Sequence, residues 1–253
     1  MPFDPIELSR YVEKVVVKGE LRKYYRVARG GRWYGGIATA DCVGCNLRCV
    51  FCWSGVSREN PEKVGKFYPP DYIYSKLKRL AERRGYRQLR ISGNEPTIGR
   101  RHLLKLLDLV EADGRFLFIL ETNGILIGYD KSYARDLSKY KCLHVRVSLK
   151  GCTSQEFSIL TGAIPEAFEY QLNALKNLLD YGVEVHPAVM LSFSSRESVN
   201  WLIERLREID EVLVREFEEE YVFEYPHVME RLRKAGLTPK ISFKPSKIPE
   251  ELI

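Results

Sequence analysis

From residue 37 onward the sequence alternates short β-prone runs with longer amphipathic runs, and no other feature constrains the fold as much. The β-prone runs cover 37–39, 87–92, 116–121, 143–150, 183–191 and 211–217; helical periodicity fills 71–84, 101–112, 133–140, 166–181 and 196–209. Leu103, Leu106, Leu107 and Val110 share one helical face, as do Phe168, Leu172, Leu175 and Leu179, and Val199, Leu202, Ile203 and Leu206. Pro165 suits a first helical turn, Gly182 follows a last one, and Ser194-Ser195-Arg196-Glu197 has capping-box spacing. Strands separated by helices predict parallel pairing through right-handed crossovers.

The strands also alternate internally. Leu143, Val145, Val147 and Leu149 oppose His144, Arg146, Ser148 and Lys150; Leu89 and Ile91 oppose Gln88, Arg90 and Ser92; Val183, Val185 and Val189 oppose Glu184 and His186. A flat parallel sheet covered by helices on both sides would give continuous apolar runs instead. One apolar and one polar face predict a curved sheet around a lumen: an α/β fold of the partial (β/α)6 barrel kind. Residues 1–35 read as an N-terminal β-hairpin extension, with a β-prone stretch at Val15–Val17 and a turn at Lys18-Gly19; 36–253 form the core domain with a C-terminal helix and tail. Reactive groups belong at the C-terminal strand ends. There the sequence places a cysteine loop, Gly93-Asn94-Glu95-Pro96, Thr122-Asn123-Gly124 and Lys150-Gly151.

Composition narrows the setting. The chain is 45% hydrophobic and 29% charged, and its longest apolar run, 116–120, is far too short to span a bilayer. The first ten residues lack the basic and apolar regions of a secretory signal, so a cytoplasmic protein with no membrane partner is expected. A net charge of +6 is compatible with a polyanionic partner but is not gathered into a basic stripe. The stretch Arg22-Lys23-Tyr24-Tyr25-Arg26 with Arg29, Arg32 and Trp33 reads as a charged hairpin face, and Glu216, Glu218, Glu219 and Glu220 as solvated surface.

Four of six cysteines, Cys42, Cys45, Cys49 and Cys52, fall within eleven residues, which favours metal over disulfides. A zinc ribbon needs two separated pairs, and a bacterial ferredoxin run has different spacing and a following proline. Cys45-x3-Cys49-x2-Cys52, with Phe51 before the last cysteine, resembles the signature of the radical SAM superfamily. The resemblance implies a 4Fe-4S cluster on Cys45, Cys49 and Cys52, with one iron open to S-adenosylmethionine (SAM) and Phe51 against its adenine. Cys42, Cys45 and Cys49 could form the same spacing; Cys42 reads instead as a strand-end core residue, and Cys142 and Cys152 as core.

Further segments are similar to radical SAM enzymes of the glycyl-radical-enzyme activase group. Ser92-Gly93-Asn94-Glu95-Pro96-Thr97 resembles its GGEPT segment, with Asn94 for the second glycine; Glu121-Thr122-Asn123-Gly124 resembles DTNG; Ser148-Leu149-Lys150 resembles D-L-K. By that resemblance Gly93, Asn94, Glu95, Thr122, Asn123, Ser148, Lys150 and His186 contact SAM. It implies an external electron donor of ferredoxin or flavodoxin type, and hydrogen abstraction from a protein glycine or a small molecule. Phe51-Cys52-Trp53 also resembles the wyosine-forming enzymes, which keeps a tRNA substrate open, and a non-enzymatic iron-sulfur redox protein is the remaining alternative.

Overall fold

The computed structural model describes residues 1–249; residues 250–253, the end of the expected tail, lie outside it. Helix α1 (Pro5–Val16) starts at Asp4, whose carboxylate accepts the Ile6 N–H at 2.7 Å, with Pro5 at the first helical position where no N–H is needed. Strand β1 (Val17–Lys18) turns at Gly19 into β2 (Leu21–Gly31), which leads to β3 (Ile37–Cys42) and the cysteine loop. Then come α2 (Gly55–Glu59), β4 (Lys66–Tyr68), α3 (Pro70–Arg84), β5 (Gln88–Ser92), α4 (Arg100–Asp113), β6 (Leu117–Thr122), α5 (Ile125–Tyr129) and α6 (Lys131–Leu137). The chain continues through β7 (Leu143–Leu149), α7 (Ser154–Thr161), α8 (Phe168–Asp180), β8 (Glu184–Met190), α9 (Arg196–Ile209), α10 (Glu211–Arg215) and β9 (Glu218–Glu220). A small parallel pair, β10 (Val222–Phe223) and β11 (Ser242–Phe243), brackets α11 (Pro226–Lys234).

Strands β3, β5, β6, β7, β8 and β9 pair in that order, all parallel, and the sheet does not close on itself. The partial β/α barrel is therefore the architecture. β2 runs antiparallel along β3, so the hairpin extends the main sheet. The alternation within the strands has the expected consequence: Leu89, Ile91, Phe118, Leu120, Val145, Val147 and Leu149 pack with Leu77, Leu103, Leu106 and Leu175 in one core, which takes their apolar area out of water. The opposite face carries Thr39, Asp41, Arg90, Ser92, Arg146 and Ser148, buried as well because each has a polar partner: Arg90 binds Thr39 and Glu121, Ser92 binds Glu121, Asp41 binds Arg26 and Arg29, Arg146 binds Glu218, and Ser148 binds Glu220.

Three expectations need correction. Val15 and Val16 close α1 instead of forming a strand, because Val12 and Val16 bury one face of a capped helix under the cysteine loop. The run 211–217 is not a strand: Asp210 accepts the Val212 N–H at 2.8 Å and caps α10, and the last parallel strand is the acidic run Glu218–Glu220. The expected helix at 133–140 begins earlier, at Lys131, where Asp130 caps it.

Candidate functional site

The loop after β3 is held in place from three sides. Gly44 adopts φ +86, and a Cβ there would meet Val12 Cγ1 at 2.6 Å, so only glycine lets α1 pack against the turn. Asn94 Oδ1 accepts the Gly44 N–H at 2.8 Å, and the Glu95 N–H donates to the Gly44 carbonyl at 3.1 Å. Farther along, the Arg48 and Val50 N–H groups donate to the Thr161 and Leu160 carbonyls at the end of α7, at 3.0 and 2.9 Å. The loop thus carries Cys45, Cys49, Phe51 and Cys52 into a cavity of about 460 Å³. Cys42 does not line that cavity; it is fully buried in the core.

The strand ends meet the loop through one carboxylate. Glu95, almost fully buried, accepts from Thr97 N at 3.1 Å, Thr97 Oγ1 at 2.6 Å, Thr122 Oγ1 at 2.7 Å and Asn123 N at 2.8 Å. Asn123 Nδ2 donates to Asn46 Oδ1 at 2.8 Å beside Cys45. Gln171, which the sequence reading overlooked, joins β6 to β7: its Nε2 donates to the Asn123 carbonyl at 2.6 Å and the Ser148 carbonyl at 3.0 Å. Lys150 Nζ bonds Ser148 Oγ, lies 3.8 Å from Glu220 Oε2 and sits 5.9 Å from the Phe51 ring centre.

Of the residues singled out in the sequence, Gly93, Asn94, Glu95, Thr122, Asn123, Ser148, Lys150, Phe51 and the three cysteines all line the cavity. His186 does not. It lies nearer the N-terminal end of β8, between His144 (Nε2 to Nδ1 at 2.6 Å) and Glu218 (Nε2 to Oε2 at 2.9 Å). Burial, then the charge of His186, lowers the His144 pKa. Burial would raise Glu218, but His186 and Arg146 outweigh it and bring it down to about 2.

Only half of the acidic run is solvated surface: Glu216 and Glu219 are exposed, whereas Glu218 and Glu220 are partly buried. Arg146 pairs with Glu218 at 2.5 Å and Glu220 at 3.0 Å, because β9 docks on β8 and turns those two side chains inward. The basic stretch of β2 is likewise no free charged face. Arg22 reaches the Val16 and Glu95 carbonyls, Lys23 those of Pro61 and Glu62, and Arg26 and Arg29 both bind the buried Asp41 carboxylate, at 2.6 and 2.7 Å.

The three cavity thiols suit an iron-sulfur cluster. Burial raises Cys45, with Glu95 and Cys49 adding to it, and burial pushes Cys49 up to about 11, so the thiolates need a metal's positive charge. The Asn46 side-chain amide next to Cys45 is buried with its Nδ2 donor unpartnered. Among the described residues no three His, Cys, Asp or Glu side chains converge on a single-ion position. A cluster gives each cysteine its own iron, so such convergence is not required.

A family model described as Radical SAM superfamily matches residues 41–206. The GTP 3',8-cyclase of Thermodesulfovibrio yellowstonii is 28% identical over 161 residues, 60% of this chain and 47% of that protein. The crystal structure of Streptococcus suis SuiB bound to S-adenosylmethionine aligns with TM-score 0.58 at 21% identity, covering 77% of this chain and 44% of SuiB. Native anSMEcpe with bound AdoMet aligns with TM-score 0.56 at 22% identity, covering 71% of this chain and 49% of that one. The two structures speak for the fold alone, and the chain spans about half the length of the curated relatives it matches.

Proposed function

The chain belongs to the radical SAM superfamily, an enzyme whose cofactors are a 4Fe-4S cluster and S-adenosylmethionine, and we propose that Cys45, Cys49 and Cys52 hold the cluster. The observation that carries this is the convergence of those three thiols, and not Cys42, on the cavity lined by the strand-end residues. Held there, the cluster would supply the electron for reductive cleavage of SAM to methionine and a 5'-deoxyadenosyl radical able to take a hydrogen atom from the substrate. Around it, Glu95 holds Thr122 and Asn123 in register with the cysteine loop, and Phe51 and Lys150 offer an apolar face and a cation to SAM. The electron donor is external, of ferredoxin or flavodoxin type. Anaerobic reconstitution, dithionite reduction and chromatography test the reading: 5'-deoxyadenosine should form with SAM, and an intact cluster that yields none would refute it.

For the substrate, a small anionic molecule fits better than the protein glycine suggested by the activase-like segments. Arg26 and Arg29 share one carboxylate at the cavity rim, leaving surplus positive charge beside Trp33, Tyr34 and Trp53. The matched curated relatives are named GTP 3',8-cyclase, not activase. A tRNA has less support than the basic stretch suggested, since Arg22 and Lys23 are buried and bonded to backbone carbonyls. Tryptophan fluorescence titration with GTP and with guanosine checks this: GTP should bind more tightly, less so in Arg26→Gln, and equal affinities would remove the anionic reading.

A further inference from the structure

Helix α11, outside the family-matched residues, grips the cysteine loop. Arg231 donates from Nε to the Val50 carbonyl at 2.7 Å and from Nη2 to the Cys52 carbonyl. One turn earlier, His227 Nε2 meets the Trp53 carbonyl at 2.9 Å. Arg58 of the adjoining α2, fully buried, donates through Nη1 to the Cys49 carbonyl. Gly55 makes room: a Cβ there would collide with the Arg231 guanidinium.

The charge balance is uneven. Among the described residues no carboxylate lies within 4.0 Å of the Arg231 guanidinium, and Arg58 has Glu59 alone, whose side chain is 48% exposed and shared with Arg48. Arg58 is buried and Arg231 partly so, and two guanidiniums held against one loop favour negative charge nearby, most strongly at Arg58, because a buried cation without a counter-charge is costly. The cysteine loop supplies it only when its thiols are ionised on a cluster. Neutral carbonyl acceptors alone leave the second guanidinium uncompensated.

Resting on the cluster assignment above, we propose that Arg231 and Arg58 form a cationic clamp that sets the reduction potential of the cluster as well as the shape of its loop. One-electron reduction makes the cluster more negative by one charge, so a nearby guanidinium stabilises the reduced form and raises the potential. Arg231 is thus a positioning residue that also acts through its charge.

A dithionite titration of the reconstituted full chain, followed by EPR, tests this. Arg231→Gln can still donate to a carbonyl but carries no charge. It should lower the reduced-to-oxidised ratio at fixed potential about tenfold, ~59 mV for a one-electron couple. Arg231→Lys should stay near the wild-type potential, and Glu59→Gln, which removes a half-exposed negative charge, should move it upward. Full iron content with an unshifted potential in Arg231→Gln would overturn the clamp. If that variant fails to take up iron, an unshifted Glu59→Gln would do the same. Wild-type protein that takes up no iron would instead refute the cluster assignment.

Discussion

Asn94 Oδ1 accepts the Gly44 N–H at 2.8 Å and so ties the loop after β5 to the loop that carries Cys45. Where the GGEPT-like segment would have a second glycine, a side chain here joins the two halves of the site. Asn94→Ala leaves a buried N–H without its partner, at a cost of about 1–3 kcal/mol. Urea unfolding should show a lower midpoint at unchanged slope; an unchanged midpoint would mean the bond contributes nothing.

Glu95 offers a sharper test of the same joint. Its carboxylate faces four donors, and Glu95→Gln would turn an NH2 group toward at least one of them. The expected loss is about 2–3 kcal/mol, from lost charge-assisted bonds. Denaturant unfolding of the two proteins side by side measures it, and a loss below about 0.5 kcal/mol would contradict the geometry.

His102 predicts an acid-sensitive fold. It is almost fully buried between the Glu20 carbonyl, 2.8 Å from Nδ1, and the Tyr24 hydroxyl, 2.8 Å from Nε2, a pair that the neutral ring satisfies by donating at Nδ1 and accepting at Nε2. Burial lowers its pKa from 6.5 to about 4. The unfolded chain takes up the proton near pH 6.5 and the folded chain does not. Stability is therefore complete above that value and falls as pH drops towards 4, by ~3 kcal/mol in full and ~2 kcal/mol at pH 5. Unfolding at pH 7.5 and pH 5 should show this drop in the wild type and lose most of it in His102→Gln. Equal pH dependence in both would exclude His102 as the cause.

The cysteines separate by position. Cys42→Ala, a buried core change away from the cavity, should keep full iron content at a modest stability cost, while Cys49→Ala should bind little iron. Iron and sulfide assays after anaerobic reconstitution distinguish them. Loss of iron in Cys42→Ala alone would reassign the ligand set.

The sequence carried the barrel-like core and most of the site because both depend on local pattern. Leu103 to Val110 and Ser195 to Leu206 report helical faces directly, and the alternation from Leu143 to Leu149 reports a two-faced strand. What stayed hidden was long-range pairing. Nothing near Glu218 says that β9 docks on β8 and aims it at Arg146, so an acidic run looks solvated. His186 lies outside the cavity lining, bonded to Glu218; sequence gives a strand's face more readily than the depth of the cavity floor. The helix over Pro5–Val16 had its signal in Asp4-Pro5, obscured by the β-branched run that ends it. At Glu211–Arg215 the Asp210 cap and packing on α9 outweighed the strand preference of Val212 and Val214.

The central claim is that three cysteines leave one iron open for SAM. Its most direct test is the EPR spectrum of the dithionite-reduced, reconstituted protein with and without SAM. A changed spectrum on adding SAM is the predicted result; identical spectra at saturating SAM, with the cluster intact, would contradict it.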